Sequence, residues 1–306
     1  MTSATVSCAN VNKRYGEKIA VSDVSLVVNP GECIALVGHN GAGKTTLMKM
    51  LLGLTGPSDG TIRVMDNDPA NTSASVRRNI GFLPETVSFD NAMTGREVIK
   101  FFTRLKGLPI EEGVQLLDKV GLADAMNNRV KTYSKGMRQR LGLAQVLLGS
   151  PKLLLLDEPT TGLDPDSRRT FYDIIRDRCQ AGAAAILSSH ILTELEARTD
   201  RVAIMNKGRL VAYDTLDALR GEAGLSVHIR LTVKDGGTAD IADRLRDAAP
   251  LTRVNGTQID LACGTGDKMQ ILHSIAMLGE RVGDVEILPP TFDEVYNHFC
   301  HQGDGA

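Results

Sequence analysis

Residues 38–45 read Gly38-His39-Asn40-Gly41-Ala42-Gly43-Lys44-Thr45, a GxxxxGK[ST] stretch. The apolar run Cys33 to Val37 before it reads as a strand. Leu47, Met48, Leu51 and Leu52 after it recur at helical spacing and stop before Gly53. A strand, a glycine-rich loop and a helix in that order let successive backbone N–H groups converge on phosphate oxygens at the positive end of the helix dipole. Gly38, Asn40, Gly41, Ala42 and Gly43 form that cradle. Lys44 supplies a point charge for the β and γ phosphates, Thr45 a hydroxyl for Mg2+, and Thr46 one more donor. The stretch predicts an α/β fold, a P-loop NTPase built on a parallel sheet.

Working outward, the chain alternates β-rich runs and helical patterns to about residue 215. Val24 to Val28 reads as a strand ending in the turn Asn29-Pro30-Gly31. Leu153 to Leu156 and Ala183 to Ser188 read as buried strands, Asp164-Pro165 opens a helix, and Asn206-Lys207-Gly208 marks a hairpin. Residues from about 86 to 150 carry helical patterns alone and are read as an inserted helical subdomain. Its first helix starts at Thr94, with Glu97 completing a capping box and Val98, Phe101, Phe102 and Leu105 as the buried face. The ATP-binding domain is placed at 1–220 and a small C-terminal α+β domain at 225–306, ending in the amphipathic segment TFDEVYNHF.

The second chemical feature is Asp157-Glu158, two carboxylates directly after four leucines. Acids at the carboxyl end of a doubly buried strand lie where open α/β sheets bind ligands. Asp157 is expected to hold Mg2+, directly or through water, and Glu158 to accept a proton from the attacking water. His190 follows another apolar run and is the candidate contact to the γ-phosphate.

Composition narrows the partners. Lys plus Arg number 35 against 37 for Asp plus Glu, a net charge of −2, so no broad electrostatic footprint for nucleic acid is present. No window reaches the roughly 18 apolar residues of a membrane span, and the N-terminus lacks an apolar signal core, so a cytoplasmic chain is expected. Cys8, Cys33, Cys179, Cys263 and Cys300 show no CxxC spacing, which fits reduced thiols acting as small core residues. His298, Cys300 and His301 in HFCH are soft-ligand types, but 298 and 301 share a helix face that 300 does not, so they read as a surface cluster.

Tyr133-Ser134-Lys135-Gly136-Met137-Arg138-Gln139-Arg140 narrows the reading further. Ser134 is placed to cap the helix through Leu141, Ala144 and Leu148, which makes a second anion-binding helix end. With the P-loop and the acidic strand end, this segment resembles the LSGGQ signature of the ATP-binding cassette (ABC) family, matched at Ser134 and Gly136, over about residues 5 to 215. The resemblance implies a homodimer of cassettes arranged head to tail, in which the signature of one chain faces the γ-phosphate held by the other. It also implies that Tyr15 stacks on adenine, that Asp164 in TGLD lies in the loop crossing the dimer, and that His190 is the switch histidine.

Three positions depart from the family pattern. Glu85 stands where the family usually has glutamine, still within reach of Mg2+ or the attacking water, and Lys135 and Met137 replace Gly and Gln of the signature. The GFLPE and YSKGMRQR variants, with an ending like PSLEDVF, resemble the ATPase subunits of ABC-2 type exporters, which implies a separately encoded membrane permease and a peripheral position on the inner face of the cell membrane. The block NRVKTYSKGMRQRLGLAQVLLGSPKLLLLDEPTTGLDP is similar to the ATPase subunits of transporters that accompany nitrous oxide reductase maturation. That likeness implies copper-centre assembly, by moving copper or a sulfur species, with a periplasmic maturation partner. Other exporter substrates stay open, and so does an ABC ATPase acting on nucleic acid or ribosomes. Such proteins usually carry paired cassettes, coiled coils or basic segments, which the sequence lacks, so nucleic acid is not an expected partner.

Overall fold

All four residues of Leu153–Leu156 are buried, as are all five of Cys33–Val37 and of Ala184–Ser188, so these strands are covered on both faces. The computed structural model describes residues 3–189, 191–234, 237–246, 249–264 and 266–302. It sets these strands in a six-stranded sheet that runs, edge to edge, β5 (Ile80–Leu83), β6 (Leu153–Leu156), β7 (Ala184–Ser188), β3 (Cys33–Val37), β8 (Arg201–Asn206) and β9 (Arg209–Asp214). The first five are parallel. β9 returns antiparallel through Lys207 and Gly208, at φ 48° and 83°, the two left-handed residues that the expected hairpin requires. Leu83 lies opposite Leu156, Leu156 opposite Leu187, and Leu36 opposite Ser188. This register brings the loops after β3, β5, β6 and β7 to one edge of the sheet.

The N-terminal region adds an antiparallel sheet that the reading of a parallel α/β domain did not include. β1 (Val6–Tyr15), β2 (Lys18–Val28) and β4 (Asp59–Val64) form a separate antiparallel sheet of order β2-β1-β4. Register shifts between Cys8 and Val11 and again between Val11 and Lys13 break the period of two, which hides β1 in the sequence. Val6, Val11, Val21, Val24 and Val28 join Leu36 and the P-loop helix α1 (Lys44–Leu51) in one apolar cluster through Leu47, Met48 and Leu51. Each such side chain contributes about 1.5–3 kcal/mol on burial, so the base of the phosphate loop is firmly anchored.

After the short α2 (Ala74–Arg78) and β5, the chain forms α3 (Gly95–Lys106), α4 (Ile110–Lys119) and α5 (Lys135–Leu147). The capping box is present: Thr94 N donates to Glu97 Oε2 at 2.7 Å and Glu97 N to Thr94 Oγ1 at 3.2 Å. Thr94→Ala is expected to destabilise the chain by about 1 kcal/mol, measurable as a lower denaturation midpoint with an unchanged slope. The expected buried face of α3 is wrong in phase. Val98 is buried, but with Ile99 and Thr103, whereas Phe101 is 54% and Leu105 66% exposed. Thr103 fits because Gly113 of α4 leaves room beside its hydroxyl, which donates to Ile99 O at 2.7 Å. α6 (Pro165–Gln180) and α7 (Leu192–Leu195) complete this unit, Met1–Asp214.

The second unit, Thr215–Ala306, begins earlier than the sequence boundary at 220–225, because α8 (Leu216–Ala223), capped by Thr215, belongs to it. A four-stranded antiparallel sheet of order β11-β12-β10-β13 follows, from β10 (Val227–Val233), β11 (Leu251–Asn255), β12 (Gln258–Cys263) and β13 (Val282–Leu288). Val227, Ile229, Leu231 and Val233 alternate into a core with Ile241 and Leu245 of α9 (Thr238–Leu245) and Ile271 and Ile275 of α10 (Lys268–Ala276). The closing helix α11 (Phe292–Gln302) carries HFCH; among the described residues no group of three or more His, Cys, Asp or Glu is placed to hold a metal ion. Among them, too, no helix is long and apolar enough to cross a membrane.

Candidate nucleotide-binding site

The phosphate loop leaves β3 at Gly38 and enters α1 at Gly43, which has φ 106° and offers the helix no side-chain cap. Only glycine fits there: a Cβ at Gly43 would sit 2.6 Å from the Ala20 carbonyl oxygen. An α-helix whose first turn lacks a side-chain cap presents its backbone N–H donors to whatever lies in front of it. In front of α1 is an open groove of about 270 Å³ lined by Tyr15, Lys18, Ala20 and the run Asn40 to Thr46. The fold therefore brings Tyr15, at the end of β1, to the residues of the P-loop, and Lys13 holds its ammonium 5.0 Å from the Tyr15 ring centre. Lys18 and Ala20, which motif reasoning did not single out, line the groove because the β1–β2 hairpin folds over it.

Lys44 is buried and donates to the carbonyls of Gly38 and His39, at 2.5 and 3.3 Å. Burial holds its ammonium below the usual lysine pKa, while the charges of Glu158, Asp157 and Glu85 pull it back up. All three of these carboxylates follow strands of the sheet, at the carboxyl ends of β5 and β6. Thr45 Oγ1 donates to Asp157 Oδ2 at 3.3 Å, so two of the three residues named from sequence for Mg2+, Thr45 and Asp157 but not Glu85, are joined directly. Their hard, oxygen-only chemistry suits Mg2+.

Ser188, at the end of β7, organises the acids. Its hydroxyl donates to Asp157 Oδ1 at 2.6 Å and accepts from Glu158 N at 2.9 Å. Ser188 is fully buried, and motif reasoning gave it no role although it stands between the apolar run and His190. The usable signal was a hydroxyl at the end of a strand two positions before His190. Glu158 has φ 48°, a left-handed conformation uncommon for a residue with a side chain and a recurrent form of stored strain at functional sites. Glu85 follows β5 and is exposed. His190 lies outside the described residues.

Ser134, Gly136 and Asp164 do not line this groove. Ser134 caps α5 by accepting from Met137 N at 3.1 Å, as the sequence predicts. Asp164 caps α6 by accepting from Ser167 N at 2.9 Å, a bond that, with the Ser167 hydroxyl, holds its carboxyl below the ordinary carboxylate pKa. These two helix ends meet each other: a Cβ at Gly136 would lie 2.9 Å from the Gly162 carbonyl oxygen, and the stem of Lys135 covers Gly162. Lys135 is thus exposed with its methylenes packed, a stacking that a purely solvated lysine would lack.

Comparison with known proteins matches the ABC transporter family over residues 21–161. The chain is similar to the daunorubicin resistance ATP-binding protein DrrA3 of Streptomyces coeruleorubidus, at 33% identity over 97% of this chain and 96% of that protein. It is also similar to the Nod factor export ATP-binding protein I of Burkholderia orbicola, at 34% identity over 84% of this chain and 85% of that one. A solved ATP-binding subunit of an ABC transporter superposes with TM-score 0.68 at 31% identity, covering 72% of this chain and 93% of its own. A cassette solved in its ADP conformation, at 21% identity and TM-score 0.62 over 69% of this chain and 91% of its own, shares the fold. With the phosphate loop, the acidic strand end and the capped signature helix in place, the chain belongs to the ABC transporter family as an ATP-binding subunit, an ATPase coupled to transport.

Proposed function

We propose that two copies of this chain close head to tail on ATP and drive a membrane permease of the exporter class. The observation that carries this reading is the separation within one chain of two anion-binding helix ends. The P-loop groove holds Lys44 and Thr45, whereas Ser134 and Gly136 lie outside that groove, with Gly136 against Gly162 and Leu163 of the loop before Asp164. A second copy turned end for end supplies the missing half of each site. Lys44 and the N–H groups of residues 40–46 hold the phosphates, Tyr15 the base, and Ser134 with Asp164 face the partner's nucleotide. Thr45 and Asp157 would hold Mg2+, which neutralises phosphate charge when bound; Glu85 is the further carboxylate near it. Glu158 accepts the proton of the attacking water, held in place by the Ser188 bond to its backbone. His190 reports on the γ-phosphate. ATP favours the closed pair and its loss the open one, and that difference in affinity moves the permease.

The names of the relatives, drug resistance and Nod factor export, support the exporter class. Within that class, we assign the subunit to copper-centre assembly of nitrous oxide reductase, on the likeness of residues 128–165, with a periplasmic maturation partner. In the source organism, a chromosomal Glu158→Gln change is expected to leave the reductase protein at normal abundance but deplete its copper at least about tenfold. Normal copper content, with loss of tolerance or export of a small amphiphile instead, contradicts the copper assignment and leaves the exporter reading intact. Recovery of the chain with RNA rather than with a membrane-embedded partner contradicts both.

A further inference from the structure

Cys33 opens β3 and Cys179 lies in the last turn of α6, far apart in sequence yet side by side in the fold. The two thiols lie near enough for each to perturb the titration of the other. Both side chains are buried, yet both border one cavity of about 650 Å³, rimmed by Arg169, Arg176, Arg198 and Asp200. The backbone fixes the pair from both sides. Asp200 Oδ2 accepts from Cys33 N at 2.7 Å, and Gly31 N donates to Ala183 O at 3.1 Å. A Cβ at Gly31 would stand 3.4 Å from the Cys179 carbonyl oxygen, so the two chain segments run close together there.

The two thiols are not equivalent. The neighbouring Cys33 thiol holds Cys179 below the usual thiol pKa with help from Arg178, against burial and Asp200, whereas Cys33 is pushed up. With the Arg178 charge acting on it, Cys179 is assigned the attacking thiol and Cys33 the resolving one. By contrast, burial alone pushes Cys8 up to about 12.

We infer that Cys33 and Cys179 form an oxidisable dithiol, a modification site at which a hydroperoxide closes a reversible disulfide within the chain. The Cys179 thiolate attacks one peroxide oxygen; the O–O bond breaks and the departing hydroxide takes up a proton to leave as water, giving a sulfenic acid. The Cys33 sulfur then attacks the Cys179 sulfur. The S–O bond breaks, and the hydroxide leaves as a second water with the proton from Cys33. Two thiols lose two electrons and two protons, and hydrogen peroxide gains both. The bond ties the strand that feeds the P-loop to the helix that starts at Asp164.

The test is a stoichiometric hydrogen peroxide titration of the full-length folded chain, followed by unfolding, alkylation and peptide mapping. The expected result is loss of two of the five alkylatable thiols and a Cys33–Cys179 cross-linked peptide that dithiothreitol removes. Cys33→Ser is expected to leave a sulfenic acid at Cys179 that dimedone captures, and Cys179→Ser neither cross-link nor capture at Cys33. Cys8→Ser and Cys263→Ser retain the cross-link. A different pairing in the wild-type chain, all five thiols still free when peroxide is consumed, or a mixed disulfide with added glutathione in place of the internal bond overturns the inference.

Discussion

Replacing Lys44 by alanine is expected to lower ATP turnover at least about a hundredfold, with ATP binding weakened in parallel. The ammonium is buried, within the field of three carboxylates, and held by two loop carbonyls that point it into the phosphate cradle. A charged donor aimed at charge that grows in the transition state is worth about 2.7–4 kcal/mol in a preorganised site, which sets that magnitude. Its loss also removes the cation on which the charges of Glu158, Asp157 and Glu85 act, so the variant disfavours the very anion it should bind. Fluorescent-nucleotide titration with steady-state phosphate release checks both quantities. An unchanged rate removes the P-loop from the chemistry.

The second large effect is expected from Glu158→Gln. The substitution keeps size and hydrogen-bonding shape, and the Ser188 bond to the backbone of residue 158 survives because it does not involve the side chain. What disappears is the proton acceptor, a contribution of about 10²–10⁴-fold. Turnover should therefore fall at least about a hundredfold while ATP affinity is held or rises, opposite to Lys44→Ala in its effect on binding. Equal losses in binding and turnover would mean that Glu158 contributes to the nucleotide site rather than to proton transfer.

The parts of the site that could be read from sequence are those in which local order dictates geometry. Gly38 to Thr45 needs only a strand before it and a helix after it, and Leu153 to Glu158 announces a doubly buried strand that ends in acids. Both features sit on the same edge of the sheet, as the pairing of Leu156 with Leu187 and of Leu36 with Ser188 shows. What could not be read depends on distant partners. The β2-β1-β4 sheet is masked by bulges in β1 that disrupt alternation. The burial phase of α3 turns on Gly113, a residue of another helix, which makes room for Thr103 and leaves Phe101 outside. Ser188 gains its role only because β7 lies beside β6. Cys33 and Cys179, read singly as idle thiols, become a pair only where α6 returns to the start of β3.

The most direct test of the central claim, that one chain carries two half-sites which a second copy completes, is the mass of Glu158→Gln in solution with ATP and Mg2+, measured by light scattering across protein concentration. The predicted result is a monomer without nucleotide that doubles its mass with ATP, and a doubling lost when Ser134→Arg blocks the signature end. A chain that binds ATP yet keeps the mass of one copy at high concentration, with its permease supplied, contradicts the claim.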